Sequence, residues 1–266
     1  MRNVIVGVFV FCLGFAGHGF GDSVGDAARS ILSKHGDAVV TVSLVIKESM
    51  SGMGFDDEYE STSEILGTVI DPSGLVVVSL SETDPSGMFD SMMGGLGGDD
   101  DFSVEGSVEK LNILRPGGEE IPATIVLRDK YLDLAFLRTV EKLEEPLQAV
   151  ALDETTVAEV FEEVVHLRRL GKVGKRQAAG GTERINAVIA KPRLFYVAGY
   201  AYGCPTFTLD GKCLGIVVMR MPAGGASVSA SLSGDGDFDW ETIILPAVDI
   251  LESAKQVPPR EAAGEE

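Results

Sequence analysis

Reactive side chains are scarce in this chain, whose 266 residues include three cysteines and three histidines. A cysteine nucleophile needs a neighbouring base that generates its thiolate. Cys204 is the candidate nucleophile, and His35 and His166 are the histidines beyond the N-terminal segment. Because His35 ends a predicted helix and His166 lies within a predicted strand, we expect Cys204 to be a small structural residue rather than a nucleophile.

Alternating acids near the C-terminal end form a second candidate site. Asp235, Asp237, Asp239 and Glu241 have a spacing that is similar to that of the oxygen ligands in calcium loops. The stretch lacks the glycine at the sixth position and the distal glutamate of an EF-hand. We therefore expect an acidic loop that leads into the last strand, with no bound metal or cofactor.

The charge of the chain is strongly acidic, with a formal net charge of -19. Such a balance repels phosphate backbones, so we expect no nucleic-acid partner. One basic cluster stands out against this background. It consists of Arg168, Arg169, Lys172, Lys175 and Arg176. A run of this kind is usually a solvated face, and the alternative is contact with the acidic loops or with an acidic partner.

The first residues have the order of a secretory signal peptide. Arg2 precedes an apolar run from Val4 to Ala16, and small residues follow. We expect residues 1–21 to be removed and the mature protein to be secreted or periplasmic. No later stretch reaches the ~20 apolar residues of a spanning helix, so we expect no membrane span. Cys204 and Cys213 lie out of register across a tight hairpin, which predicts two free thiols.

The first half of the mature chain predicts one helix followed by β-strands. Asp22 to His35 has a capping residue, an apolar face and Gly36 as a stop signal. The strand-like segments that follow are 38–47, 64–70, 75–80, 108–114, 121–127 and 132–139. The segments 48–63 and 82–103 are rich in Gly, Met, Asp and Ser, and we expect long surface loops there.

The second half repeats this organisation after a predicted linker at 141–148. Its strand-like segments are 164–167, 186–189, 193–197, 206–209, 213–217 and 242–245. Asp210-Gly211 is a strong hairpin signal between two of them. A closing helix is predicted at 247–255, and residues 256–266 are typical of a disordered tail. Short strands at this spacing predict a barrel or a sandwich.

Four segments in this order resemble the trypsin-like serine peptidases, and most closely the bacterial high-temperature-requirement (HtrA) peptidases. They are 66–78, similar to a Gly-x-Gly-hydrophobic hairpin; 129–137, similar to the motif around the catalytic aspartate; 147–153; and 244–246. The resemblance implies an all-β fold of two six-stranded antiparallel barrels with a cleft between them. The first barrel, with the leading helix, would occupy 22–140, and the second, with the closing helix, 141–255.

The same resemblance implies that the catalytic triad is degenerate. Ser81 stands at the histidine position, Asp133 keeps the aspartate, and Tyr202 replaces the nucleophilic serine. In the oxyanion loop Gly203 is kept, but Tyr200 replaces a glycine. A lone carboxylate has no imidazole to orient, so we expect no peptidase activity.

Three functional interpretations remain open at this point. The favoured one is a secreted, non-catalytic module that binds a protein or peptide or regulates one. The others are a serine or cysteine hydrolase with a rebuilt site and a structural envelope protein that associates with itself. For the degenerate site we expect a buried Asp133, with hydrogen bonds from Ser81, Tyr202 or backbone N–H groups, and a Tyr202 ring in the space of the missing imidazole.

Overall fold

A computed structural model describes residues 23–52, 55–84, 102–115, 117–154, 156–199, 201–220 and 241–260. The first half contains helix α1 (Ser23–His35) and strands β1 (Val39–Gly52), β2 (Phe55–Asp71), β3 (Leu75–Ser79), β4 (Phe102–Leu114), β5 (Glu120–Asp129) and β6 (Leu134–Thr139). The second half contains β7 (Glu163–Arg169), β8 (Ala178–Arg184), β9 (Ala187–Ile189), β10 (Phe195–Val197), β11 (Pro205–Thr208), β12 (Cys213–Arg220), β13 (Glu241–Pro246) and helix α2 (Ala247–Ala254). No helix in these ranges is long and apolar enough to span a membrane.

The first six strands close into an antiparallel barrel in the order β1-β2-β3-β6-β5-β4. The turn from β2 to β3 is the predicted one: the N–H of Gly74 donates to the carbonyl of Asp71 at 3.0 Å, and Gly74 has a φ of 96°. This conformation suits glycine because it has no Cβ. Apolar side chains such as Leu44, Ile113 and Leu137 fill the barrel.

The described parts of the segment 48–63, residues 48–52 and 55–63, form a strand ribbon, and the prediction of a surface loop was wrong for them. β1 pairs with β2 as far as Gly52 and Phe55, and on its other side with β4 as far as Gly52 and Phe102. The outer part of β1 is therefore the middle strand of three. The residues of this segment have weak strand propensity and cannot fill a core. Backbone pairing on both sides nevertheless stabilises the strand, because strand formation depends strongly on context.

The second half forms an antiparallel sheet in the order β8-β7-β11-β12-β13-β10-β9. Its first and last strands, β8 and β9, are joined in the chain by only Ile185 and Asn186. The bent segment from β8 to β9 therefore lies at both ends of the sheet, which curls as an open second barrel. We predicted six strands, and the structure has seven because this bent segment forms two of them.

A shared apolar core joins the two halves. Val77 and Phe136 of the first barrel pack in one cluster with Phe207 and Ile216 of the second. All four side chains are fully buried. The cluster also includes Ile31 of α1. The all-β prediction of two antiparallel barrels with a leading and a closing helix is confirmed.

The basic cluster fastens the second barrel to the first. Arg169 is buried; its guanidinium pairs with Asp37 at 2.8 Å and donates to the carbonyl of Val39. Arg176 pairs with Glu64 of β2 at 2.6 Å. The usual interpretation as a solvated face is therefore wrong for Arg169 and Arg176, because both meet acids of the first half.

The beginning of the predicted disordered tail lies against the first barrel. Arg260 donates to the carbonyl of Val140 at 3.1 Å and to the hydroxyl of Thr139 at 2.9 Å. Arg138 donates to the carbonyl of Pro258. The prediction of disorder is corrected for 256–260, because Arg260 finds acceptors at the end of β6; residues 261–266 lie outside the described ranges.

Candidate functional site

Asp133 lies where β3 ends and β6 begins. β3 pairs with β6 so that Ser79 is opposite Leu134, and the N–H of Leu80 donates to the carbonyl of Asp133 at 2.9 Å. Asp133 has a φ of 55°, a left-handed conformation that aspartate tolerates better than most residues. The strand pairing thus brings the carboxylate to the serines at the end of β3.

Four donor groups surround the carboxylate of Asp133. The N–H of Ser81 donates to Oδ1 at 2.8 Å, and the hydroxyl of Ser81 lies 3.2 Å from Oδ2. The hydroxyl of the fully buried Ser79 also donates to Oδ2. From the second barrel, the N–H of Met219 in β12 donates to Oδ2 at 2.9 Å. Both oxygens are therefore bonded, and the site lies where the barrels meet.

Burial raises the pKa of Asp133, and hydrogen bonds from Ser79, Ser81 and Met219 oppose that rise because they favour the charged form. Glu82, the next residue after Ser81, is affected more strongly. Burial, with the nearby charge of Asp133, raises the pKa of Glu82 to about 8. Among the described residues, Oε2 of Glu82 is a buried oxygen without a hydrogen-bond partner. A carboxylate with both oxygens hydrogen-bonded therefore lies near a carboxyl group with an oxygen that has no hydrogen-bond partner.

Tyr202 points into the second barrel. Its half-buried ring packs against the cluster that contains Tyr196, Val217 and Ile244. The hydroxyl of Thr242 lies 3.4 Å from the Tyr202 hydroxyl. Ser81 and backbone N–H groups donate to Asp133, as expected, together with Ser79, and Tyr202 is not among the donors within the described ranges. That the Tyr202 ring fills the imidazole space stays a prediction.

Gly203 is held tightly between the barrels. Its φ is 71°, and a Cβ on it would lie 2.0 Å from the carbonyl oxygen of Leu66. Its N–H donates to the carbonyl of Val217 at 2.8 Å, and its carbonyl accepts from the hydroxyl of Thr68 at 2.6 Å. The N–H of Gly203 is therefore occupied by a hydrogen bond to a backbone carbonyl. Tyr200, the other predicted oxyanion-loop position, lies outside the described residues.

Comparisons with known proteins identify the fold. No family model matches the chain, and no curated protein matches it. Among solved structures, the chain is similar to the crystal structure of the active form of the Rv3671c protease from M. tuberculosis, with a TM-score of 0.52. The sequences are 17% identical, and the match covers 88% of this chain and 86% of that one. The chain has the trypsin-like fold.

The thiols and imidazoles of this trypsin-like fold lie in its cores. Cys204 is 1% exposed, and burial, with the charge of Glu82, raises its thiol pKa. Burial also raises the pKa of Cys213 to about 12, and both cysteines are free, as predicted. His35 stacks on Phe207 at 4.8 Å between ring centroids, and burial lowers the pKa of His166 in β7 to about 4. Neither histidine is among the hydrogen-bond partners of Asp133.

The predicted acidic loop is only partly visible in this fold. Asp235, Asp237 and Asp239 lie outside the described residues, and Glu241 is an exposed residue at the start of β13. Within the ranges that the structure describes, no group of three or more His, Cys, Asp or Glu side chains is placed to hold a metal ion.

Three participants in the site were not predicted from the sequence. Ser79 and Glu82 lie close to the predicted Ser81 in the chain, and the signal for Ser79 is a lone serine at the end of a strand that is buried along its whole length. Met219 contributes a backbone N–H from 86 residues away. A backbone donor carries no side-chain signal, so only the pairing of the barrels reveals it.

Proposed function

We propose that this protein is a non-catalytic member of the trypsin-like fold that binds a protein or peptide, or regulates one. The observation that carries the proposal is the set of donors at Asp133. Hydroxyl and backbone N–H groups of Ser79, Ser81 and Met219 occupy its carboxylate, and no imidazole is among them. In a serine peptidase this carboxylate orients the histidine that takes the proton of the nucleophile.

The rest of the site supports the same proposal. Tyr202 has a phenol where the resemblance implies a nucleophilic serine, and its ring is packed against a core cluster. Cys204 has a buried thiol with a raised pKa, the opposite of an activated cysteine. These observations support the absence of catalysis over a hydrolase with a rebuilt site, because neither Tyr202 nor Cys204 has the surroundings of an activated nucleophile.

A hydrolysis assay tests the absence of catalysis. Purified protein is incubated with casein and with a chromogenic ester, and we expect rates equal to those of buffer. The matched controls are Cys204→Ala and Ser81→Ala, singly and together. Wild-type turnover above buffer contradicts the proposal: its loss in a variant would assign it to a rebuilt site, and its survival in the double variant would require a nucleophile elsewhere.

A peptide-display screen tests the binding function. We expect a family of related sequences to be enriched from a random library by the wild-type protein. Failure to enrich any sequence, together with a large oligomer on a sizing column, would favour a self-associating structural protein instead.

The proposal includes secretion, which rests on the sequence of residues 1–21. We expect the protein recovered from an expressing bacterium to lack this segment and to be found outside the cytoplasm. Intact mass measurement of the fractionated protein checks this, and a full-length product in the cytoplasmic fraction contradicts it.

A further inference from the structure

Two arginines converge on one exposed tyrosine beside Asp133. The guanidinium carbon of Arg220 lies 5.2 Å from the ring centroid of Tyr131, and that of Arg193 lies 5.5 Å from the same centroid. The tyrosine is 59% exposed. Both contacts are within the ~6 Å range of cation–π attraction, which holds each cation near the ring.

The two cations are only partly neutralised. Arg193 pairs with Asp249 of α2 at 2.9 Å. Arg220 donates to the carbonyl of Tyr131 at 2.7 Å, and within the described ranges no carboxylate forms an ion pair with it. Asp249 is thus the one acid in the described ranges that forms an ion pair with either arginine, although Glu241 of β13 lies opposite Arg220 in the strand register.

The cluster lies next to the site around Asp133. Arg220 follows Met219, whose N–H donates to Asp133, and Tyr131 precedes Asp133 by two residues. Arg220 ends β12, and Arg193 precedes β10. The three side chains therefore come from both barrels and meet where the barrels face each other.

We propose that the cluster of Tyr131, Arg193 and Arg220 binds carboxylate side chains of an acidic peptide segment. This inference rests on the proposed binding function and names the class of ligand. A guanidinium presents a planar fork of donors that matches a carboxylate, and its contact with an aromatic ring limits the freedom it loses on binding. Because the net charge of the chain is -19, general charge attraction does not account for binding of such a segment, and a specific site is needed.

Fluorescence anisotropy with the purified full-length protein tests the proposal. The probes are fluorescein-labelled peptides of alternating glycine and glutamate, and peptides of the same length with glutamine in place of glutamate. We expect the glutamate peptide to bind at least about tenfold more tightly, the difference expected for loss of charged hydrogen bonds.

Variants assign the binding to the cluster. We expect Arg220→Gln to weaken binding of the glutamate peptide about tenfold or more, as loss of one charged partner predicts, and Tyr131→Leu to weaken it about threefold by freeing the guanidiniums. The matched control is Arg184→Gln, which removes the same charge from an exposed arginine of β8. Tyr131→Leu keeps the test valid if Arg220→Gln fails to fold.

Each outcome of these binding measurements either supports or overturns the inference. Preference for glutamate that is lost in the cluster variants and kept in Arg184→Gln supports the inference. Equal binding of both peptides, or equal weakening by the control, overturns it while leaving the proposed binding function in place. If neither peptide binds, the inference is also overturned, and only enrichment of other sequences in the display screen then preserves the proposed function.

Discussion

Asp133 and Tyr202 stand at two positions that the peptidase resemblance assigns to one catalytic unit, yet their surroundings differ. Asp133 is surrounded by donors from Ser79, Ser81 and Met219. Tyr202 packs against a core cluster, and the next residue, Gly203, is pressed against the backbone of β2. The part of the site around Asp133, the polar half, is a hydrogen-bond network. The part around Tyr202 and Gly203, the packed half, is held by close contacts.

This difference indicates which constraints act on each half. A buried carboxylate is costly unless it is hydrogen-bonded, so the donors around Asp133 are required for stability with or without catalysis. The segment 202–204 is held by steric fit between the barrels. The comparison predicts an order of losses in the free energy of unfolding. Substitution of Gly203 should cost most, changes in the polar half should cost less, and removal of the Tyr202 hydroxyl should cost least.

The largest effect is expected for Gly203→Ala. The new methyl group would overlap the carbonyl oxygen of Leu66 at 2.0 Å, and alanine is strained at a φ of 71°. We expect the free energy of unfolding to fall by about 4 kcal/mol or more. Gly118→Ala is the matched control, because Gly118 has a φ of 87° with no atom within 4 Å of a Cβ. It should lose only about 1 kcal/mol; equal losses in urea denaturation contradict the packing.

The next effect concerns Glu82, whose folded-state pKa is raised from 4.5 to about 8. A raised carboxyl pKa contributes stability below the unfolded value, and this contribution is lost as the pH rises toward the folded value. We expect the free energy of unfolding to fall by up to about 4 kcal/mol between pH 4.5 and 8 through this group, since each pKa unit of the shift corresponds to about 1.4 kcal/mol.

Urea denaturation across this pH range checks the expectation. Glu82→Gln should flatten the decline and should be more stable than wild type at pH 8, because glutamine has no charge to bury. The exposed Glu105→Gln is the control and should keep the wild-type profile. A decline that is unchanged in Glu82→Gln would show that another group causes it.

Within the polar half, Ser79 should matter more than Ser81. Ser79→Ala removes a donor from Asp133 at a fully buried position, and we expect a loss of about 2 kcal/mol in the free energy of unfolding. Ser81→Ala removes a longer side-chain bond but keeps the backbone N–H bond to Oδ1, and about 1 kcal/mol is expected. The reverse order, measured by thermal or urea unfolding, would contradict the described network.

The smallest effect is expected for Tyr202→Phe. The Tyr202 hydroxyl is 3.4 Å from that of Thr242 in a half-buried position, so we expect a loss below about 0.5 kcal/mol. A double-mutant cycle with Asp133→Asn should be additive within about 0.5 kcal/mol, because the residues share no hydrogen bond. A larger coupling would place the Tyr202 ring beside Asp133 after all.

The sequence predicts much of the fold because its turn and strand signals are local. Asp71-Pro72-Ser73-Gly74 and Asp210-Gly211 mark two hairpins, and both helices begin and end close to the predicted residues. β8 was missed because Ala178 to Arg184 includes two glycines and no apolar alternation. Its strand geometry comes from pairing along the whole of β7.

The contact between Ser81 and Asp133 could be predicted from the sequence, but the packing around Tyr202 could not. The motif at 129–137 locates Asp133 and the hairpin locates Ser81, and their hydrogen bond agrees with that assignment. The direction of the Tyr202 side chain depends on space left by Tyr196, Val217 and Ile244. The contact of Arg220 and Arg193 with Tyr131 joins residues far apart in the chain, so no local pattern contains it.

Covalent labelling tests the central proposal, that this trypsin-like fold has no nucleophile activated by Asp133, most directly. Native protein is incubated with a fluorophosphonate and, separately, with iodoacetamide, and its intact mass is measured. We expect the unlabelled mass in both cases, with alkylation of Cys204 and Cys213 only after denaturation because both thiols are buried. Rapid addition of one phosphonyl group to native protein, lost in Asp133→Asn, would contradict the account.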